Sequence, residues 1–168
     1  MAYEEHIQSA GQIAARCAVI TLSDTRTEET DTSGQTIRAL LESHGHAVAH
    51  YAILKDEAAL LDEKLLSLIG SPEIDAILTN GGTGISRRDC TLSAIEKRLD
   101  QPLPGFGELF RMLSWEQVGS GAMLSRALGG IAQGQLIFAM PGSTKAVELA
   151  MTKLILPELR HLLHELRK

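Results

Sequence analysis

Apolar and polar positions alternate along the chain in blocks that predict strands and helices in turn. Short continuous apolar runs at 17–22, 75–79 and 135–140 are typical of strands buried on both faces. A further strand is predicted over 46–54. Stretches with apolar residues every three or four positions predict helices after Asp31, over 57–69, over 90–99, up to 115 and over 143–166.

This order of strands and helices predicts an α/β fold. Alternating strands and helices form a parallel sheet that is covered by helices on both faces. The Gly-rich stretch 119–134 contains a short strand that we expect to pair with 135–140 as one antiparallel addition. We therefore predict an N-terminal arm over 1–15 and, over 16–168, a single three-layer α/β/α sandwich with a mostly parallel sheet. Pro157 predicts a kink or break in the last helix.

Composition restricts the classes of function. The 168 residues are 44% hydrophobic but only 4% aromatic, so the core is aliphatic. A formal net charge of -5 argues against a nucleic-acid partner, and no apolar run reaches the ~18 residues that a membrane helix needs. The acidic, polar N-terminus does not resemble a signal peptide, and the two cysteines lack metal-type spacing. We expect a cytoplasmic protein.

Candidate chemistry follows the predicted strands at their carboxyl ends, where open α/β sheets bind ligands. Glycines in the turn after the third strand let backbone N–H groups converge on an anion. Carboxylates are ligands for Mg²⁺, and a lysine neutralises phosphate charge. These observations predict a site for phosphate groups and a divalent cation. Its members are Ser23, Asp24, Asp56, Gly81, Gly82, Thr83, Gly84, Asp89, Pro141, Gly142, Ser143 and Lys145.

Each of these features also has a purely structural explanation. A Gly-Gly-Thr-Gly turn often only reverses the chain, and this one is neither a Walker A loop nor G-x-G-x-x-G. Asp56 and Asp89 could cap the helices that follow them, and Ser143 could cap the last helix. The histidines at 44, 46 and 50 lack the further ligands of a metal site. The common location of the candidates, rather than any single residue, supports a binding site.

The order and spacing of the motifs resemble the MoaB/MogA family of molybdenum cofactor biosynthesis proteins. The related domains of gephyrin and of its plant counterpart belong to the same group. The resemblance extends from Ala18 to about Leu159, and within the family it is closer to the MoaB branch. It rests on Thr21–Asp24, Asp31–Gly34, Thr79–Gly84 with Asp89, Pro104–Glu108, Leu124–Arg126 and Met140–Lys145. Asn80 departs from the family pattern, which more often has a small hydroxyl residue there.

The resemblance implies a substrate and a reaction. Active members transfer AMP from Mg-ATP to the terminal phosphate of molybdopterin, release pyrophosphate, and pass the product to a molybdate-insertion protein. It implies Mg²⁺ coordination by Asp89, and metal binding or positioning of the nucleophilic phosphate by Asp56. Substrate contacts are implied for Ser23, Asp24, Glu108, Ser125 and Arg126. It also implies assembly as a homotrimer or a hexamer.

Two other functions remain open at this stage. Some family members are thought to lack the transferase activity, so the chain could bind molybdopterin or a precursor without catalysis. Such members tend to lose the first of the two aspartates, whereas this chain has both Asp56 and Asp89. This favours the adenylyltransferase. A nucleotide-binding module unrelated to pterins would explain the glycine-rich turn but none of the other motifs.

Overall fold

A computed structural model describes residue 11 and residues 13–168, which form one six-stranded sheet with helices on both faces. The strands are β1 (Arg16–Leu22), β2 (Ala47–Leu54), β3 (Ala76–Asn80), β4 (Gln101–Pro102), β5 (Leu128–Ala132) and β6 (Gln135–Met140). The helices are α1 (Thr32–Ser43), α2 (Ala58–Leu68), α3 (Thr91–Glu96), α4 (Pro104–Val118), a 3₁₀ helix (Gly119–Leu124), α5 (Thr144–Ala150) and α6 (Leu156–Leu166). Most of the predicted arm, residues 1–10 and 12, lies outside the described residues.

The sheet has the strand order β2-β1-β3-β6-β5-β4. Its first four strands are parallel, and β5 runs antiparallel to both of its neighbours. This confirms the predicted α/β sandwich with a mostly parallel sheet and one antiparallel strand. Strand β4 was not predicted because two residues are too short for a pattern. Its backbone conformation follows from pairing with Gly130 and Ile131 of β5.

Two hydrophobic clusters cover the two faces of the sheet. Neighbouring residues of β1 illustrate this, since Val19 belongs to the cluster under α1, α5 and α6, and Ile20 to the cluster under α2 and α3. Both side chains are fully buried. The aromatic contribution is small; Phe106 and Phe138 pack with ring centroids 4.9 Å apart. The core is therefore aliphatic, as composition indicates.

The helix from 144 to 166 stays helical through Pro157 but changes its pitch before it. Residues Met151–Ile155 form a π-helical turn, in which the Leu156 N–H donates to the Met151 carbonyl. Proline has no N–H to continue the usual ladder, so a local irregularity is expected beside it. The predicted kink or break is thus a π-helical turn, and the chain continues directly into α6.

Strands β5 and β6 are joined by a two-residue hairpin turn. Both residues have a positive φ, 47° at Gln133 and 76° at Gly134, which is the conformation of a type I′ turn. The Gln133 N–H donates to the Asp100 carboxylate at 2.6 Å. Because β6 starts here, the turn lies at the sheet edge opposite to the carboxyl ends of the parallel strands.

The chain segment before β1 joins the fold at Ala15, which is fully buried. Its N–H donates to Nδ1 of the buried His46 at 3.1 Å, so this histidine serves as a core acceptor. Within residues 13–168, no helix is both long and apolar enough to span a membrane.

Candidate functional site

The loops that follow the parallel strands meet at one edge of the sheet. The turn after β3 begins at Gly81, where a Cβ would lie 2.3 Å from the Leu22 carbonyl at the end of β1. The loop after β6 packs on the same turn, because a Cβ on Gly142 would lie 3.1 Å from the Gly81 Cα. A side chain at Gly81 would push the loops apart, and one at Gly142 would force its neighbour to give by a few tenths of an ångström, so glycines favour this close approach.

Three of the predicted carboxylates lie together at this edge. The Asp56 N–H donates to Oδ1 of Asp24 at 3.2 Å, and Arg88 donates to Oδ2 of Asp24 at 2.7 Å. The charges of Asp24 and Asp89 both act on Asp56. Parallel topology therefore gathers residues from three separate loops into one acidic cluster, which we call the carboxylate cluster (Asp24, Asp56 and Asp89).

Asp56 has an unusual environment within this cluster. Its Oδ1 atom is buried and has no hydrogen-bond partner among the described residues. Burial, followed by the charges of Asp89 and Asp24, raises the pKa of its carboxyl group, and Arg88 opposes this only in part. The N-cap of α2 is Glu57 rather than Asp56, and no side-chain capping bond is made there. Helix capping therefore does not explain Asp56.

Asp89 shows the opposite behaviour although it belongs to the same cluster. Its Oδ2 accepts the Ser86 N–H at 2.8 Å. Hydrogen bonds from Ser86 and Gly84, aided by the charge of Arg126, outweigh the desolvation and lower the pKa of this carboxyl group. The residue at the N-cap of α3 is Cys90, so Asp89 orders the preceding loop instead. Two nearby carboxylates thus have pKa values that their environments push apart.

The glycine-rich turn is packed tightly around both carboxylates. Gly82 has a positive φ of 62°, and a Cβ there would lie 2.2 Å from Thr91 Oγ1 and 2.7 Å from Asp56 Oδ1. A Cβ on Gly84 would lie 2.7 Å from Asp89 Oδ2. The glycines are therefore needed for the carboxylates to approach the backbone.

A cleft of about 270 Å³ lies between α4, the 3₁₀ helix and the start of α5. Four predicted site residues line it, namely Ser125, Pro141, Ser143 and Lys145. Ser143 also caps α5, since its hydroxyl accepts the Ala146 N–H at 3.2 Å. Arg126 connects this side to the glycine-rich turn by donating to the Gly84 carbonyl at 2.7 Å.

Glu108 belongs neither to the carboxylate cluster nor to the residues that line the cleft. It lies exposed on α4, and the cleft is lined without it. The sequence-based expectation that it contacts substrate therefore gains no support from the geometry of one chain.

Two arginines and a buried polar network beside the site were not predicted from the sequence. Arg88 pairs with Asp24, and Arg26 pairs with Asp31 at 3.1 Å. The fully buried Asp31 also accepts from Thr21 at 2.6 Å, from Tyr51 at 2.7 Å and from the Gly34 N–H at 3.1 Å. The Asp31–Gly34 motif predicts the N-cap of α1, which is confirmed, but it does not predict these other partners.

The other reactive side chains give no second site. Burial raises the pKa of the Cys17 thiol to about 12, which makes this thiol inert. Burial, with the charge of Asp56, also raises the pKa of Cys90. Among the described residues, no three His, Cys, Asp or Glu side chains are grouped so that they could hold a metal ion by themselves.

Comparison with known proteins identifies the family. Residues 18–161 match the family described as "Probable molybdopterin binding domain". The chain is 51% identical, over 100% of its length and 99% of the relative, to molybdenum cofactor biosynthesis protein B of Halalkalibacterium halodurans. The protein of the same name from Bacillus subtilis is also 51% identical, over the same shares of the two chains.

Solved structures agree with this assignment. A crystal structure of molybdenum cofactor biosynthesis protein B has a TM-score of 0.90 and 51% identity, over 92% of this chain and 97% of that one. The tungsten cofactor synthesizing protein MoaB from Pyrococcus furiosus has a TM-score of 0.84 and 34% identity, over 94% and 100%. The chain belongs to the MoaB/MogA family of molybdenum cofactor biosynthesis proteins and is most similar to its MoaB members.

Proposed function

We propose that this protein transfers AMP from Mg-ATP to the terminal phosphate of molybdopterin and releases pyrophosphate. The observation that carries the proposal is the carboxylate cluster beside a glycine-rich turn. Adenylyl transfer needs no covalent enzyme intermediate; it needs two phosphorylated reactants to be aligned and their negative charge to be neutralised.

The residues at the cluster fit Mg²⁺. Asp56 presents a buried carboxylate oxygen that has no partner within the part of the chain that the structure describes, and the neighbouring carboxylates disfavour its charge, so a cation would relieve both costs. Mg²⁺ in nucleotide enzymes is usually held by one or two carboxylates together with substrate phosphates. Asp89 and Asp56 would hold the ion. When bound, Mg²⁺ would neutralise charge on the transferring phosphoryl group.

The remaining residues bind and orient the two substrates. We expect the backbone N–H groups of Gly82 and Thr83 to cradle phosphate, because the Gly81 N–H donates to the Met140 carbonyl at 3.1 Å and the Gly84 N–H donates to Asp89. Ser125, Ser143 and Lys145 supply hydroxyls and a positive charge to the cleft beside this turn. We expect Ser23, Asp24 and Arg126 also to contact substrate. The Ser23 hydroxyl accepts the Thr25 and Arg26 N–H groups, and Arg126 fixes the glycine-rich turn to the cleft side.

The test is turnover of purified protein with molybdopterin and Mg-ATP, with pyrophosphate and adenylylated pterin both measured. We expect Asp89→Asn to reduce kcat by at least about 100-fold, because one preorganised electrostatic contact is typically worth that much. The amide keeps one oxygen that accepts the Ser86 N–H, and circular dichroism checks that the variant is folded. Glu57→Gln removes an exposed charge at the N-cap of α2 without losing a capping bond and is the matched control.

The outcome separates the transferase from the alternative. Product that depends on Asp89 supports adenylyl transfer. Molybdopterin binding without product, in protein that is folded, would contradict the transferase and favour a non-catalytic binding or carrier protein of the same pathway. In the catalytic case we propose that a molybdate-insertion protein receives the product.

We also propose that the protein assembles as a homotrimer or a hexamer. One face of α4 and the 3₁₀ helix exposes large apolar side chains, with exposed fractions from 46% at Leu109 to 78% at Met123. Between these values lie Met112, Trp115, Val118 and Leu124. Apolar patches of this kind mark interaction surfaces. Light scattering checks the mass; three or six copies would agree, and an 18.2 kDa species would not.

A further inference from the structure

The guanidinium of Arg26 joins two loops that are far apart in the sequence. Arg26 lies between β1 and α1, where its Nη1 donates to Asp31 Oδ1 at 3.1 Å and also to the Ser33 hydroxyl. Its Nη2 donates to the Gly142 carbonyl at 3.0 Å, 116 residues away. One planar cation thus bridges the loop after β1 and the loop after β6.

The side of this bridge at α1 is held firmly. Asp31 is fully buried and accepts from the Thr21 and Tyr51 hydroxyls as well as from Arg26. Ser33 donates to the buried Asn80 side chain at 3.0 Å. The Asp31–Gly34 motif therefore does more than cap α1, because it fixes the orientation of an arginine.

The other side of the bridge carries residues of the candidate site. Pro141, Ser143 and Lys145 flank Gly142 and line the cleft, and Gly142 packs on Gly81 of the glycine-rich turn. A second contact supports the junction, since the hydroxyls of Thr32 and Thr144 lie 3.1 Å apart. Displacing the Gly142 carbonyl would therefore move the cleft wall and the glycine-rich turn relative to each other.

We infer that Arg26 is a positioning residue, which sets the distance between the cleft wall at 141–145 and the glycine-rich turn and thereby governs molybdopterin binding. This inference rests on the proposed function. Lysine cannot replace arginine here, because one ammonium group cannot reach Asp31 and the Gly142 carbonyl with the geometry of a planar fork. In this inference Arg26 acts through the backbone of the loop, by its bond to the Gly142 carbonyl.

Arg26→Lys is the test variant, since it keeps a positive charge beside the buried Asp31 and so preserves the fold. We expect the KM for molybdopterin to rise about ten-fold, the effect of one lost charge-assisted hydrogen bond, while kcat changes by less than about three-fold. The Kd for molybdopterin should rise in parallel. Amide hydrogen exchange should accelerate at 142–147 and remain unchanged in β1 and β3.

Arg160→Lys is the matched control. Arg160 also joins two segments through carbonyl groups, donating to His44 at 2.6 Å and to Gly11 at 3.2 Å, but neither acceptor lies in a site loop. A purely structural loss should lower the melting temperature in both variants. Only Arg26→Lys should change KM and Kd.

Gly142→Ala tests the same junction from the other side, because the new Cβ would press on the Gly81 Cα. Combining it with Arg26→Lys should raise Kd by less than the product of the single effects, since both changes disturb one contact.

The inference is overturned if Arg26→Lys leaves the Kd within two-fold of wild type and leaves exchange at 142–147 unchanged, or if Arg160→Lys produces the same changes. Failure of the proposed function is measured separately, because wild-type protein would then show no turnover. In that case Kd and amide exchange still decide the role of Arg26. Wild-type protein that does not bind molybdopterin would overturn the inference as well as the proposed function.

Discussion

Two aspartates at the same edge of the sheet, Asp31 and Asp56, lie in opposite environments. Asp31 is fully buried, and although burial tends to raise its pKa, hydrogen bonds from Thr21, Tyr51, Gly34 and Arg26 hold that pKa below its usual value. Asp56 has a buried oxygen with no partner among the described residues, and burial and its acidic neighbours raise its pKa. The comparison separates a carboxylate that stabilises the fold from one whose charge is left uncompensated, which supports a ligand-binding role for the second.

The largest expected effect is the loss of stability in Asp31→Asn. The change leaves Arg26 and several donors without their buried anion, and we expect the free energy of unfolding to fall by about 2 to 3 kcal/mol. Urea unfolding followed by circular dichroism measures this. Asp62→Asn is the matched control; its pair with Arg98 is partly exposed and is worth less than about 1 kcal/mol. Equal losses in the two variants would contradict the structural role of Asp31.

The stabilisation by Asp31 should also depend on pH. Its pKa is lower in the folded than in the unfolded state, so the stabilisation is complete above the unfolded pKa of about 4. It is lost as the pH falls through the lower folded pKa. The difference in unfolding free energy between wild type and Asp31→Asn should therefore be constant from pH 5 to 7 and narrow below about pH 4. If the difference in unfolding free energy widened on acidification, folding would not lower the pKa of Asp31.

A smaller effect is expected from crowding Asp56 through the backbone. Gly82→Ala adds the cost of a positive φ, about 1 to 2 kcal/mol, to a collision with the Asp56 and Thr91 oxygens. Gly134→Ala is the control, since its φ is also positive but no atom lies within 4 Å of the new Cβ. Chemical denaturation should show a larger loss for Gly82→Ala. Turnover should fall in Gly82→Ala and not in Gly134→Ala. Equal turnover in the two variants would show that Asp56 takes no part in the reaction.

The smallest expected effect is a gain of stability in Asp56→Asn. Because the folded state raises this pKa, ionised Asp56 destabilises the fold, and the penalty grows as the pH rises above the unfolded value. We expect the melting temperature to rise by no more than about 2 °C at pH 7 and to match wild type near pH 3. Differential scanning calorimetry checks both points, with Glu57→Gln as the neutral control. If Asp56→Asn melted at a lower temperature than wild type at pH 7, Asp56 would stabilise the fold as Asp31 does, and the two aspartates would not differ.

Local patterns predict the main strands and helices, and the parallel topology predicts where the loops of the candidate site meet. The apolar run 135–140 coincides with β6, and the carboxyl ends of parallel strands brought Asp24, Asp56 and Asp89 together as expected. Strand β4 could not be predicted, because its conformation comes from β5 rather than from its own residues. Arg26 was missed for a related reason. Its acceptor is a backbone carbonyl 116 residues away, and because every residue has such a carbonyl, the sequence does not indicate which one is the acceptor.

The hairpin turn at Gln133 and Gly134 has a practical consequence for studying the protein. It is exposed and lies at the edge of the sheet opposite to the carboxylate cluster. Exposed loop tips are the positions at which proteins best tolerate inserted residues. A short peptide tag or a fluorescent label placed there would report on ligand binding and assembly from a distance and leave the loops of the site untouched.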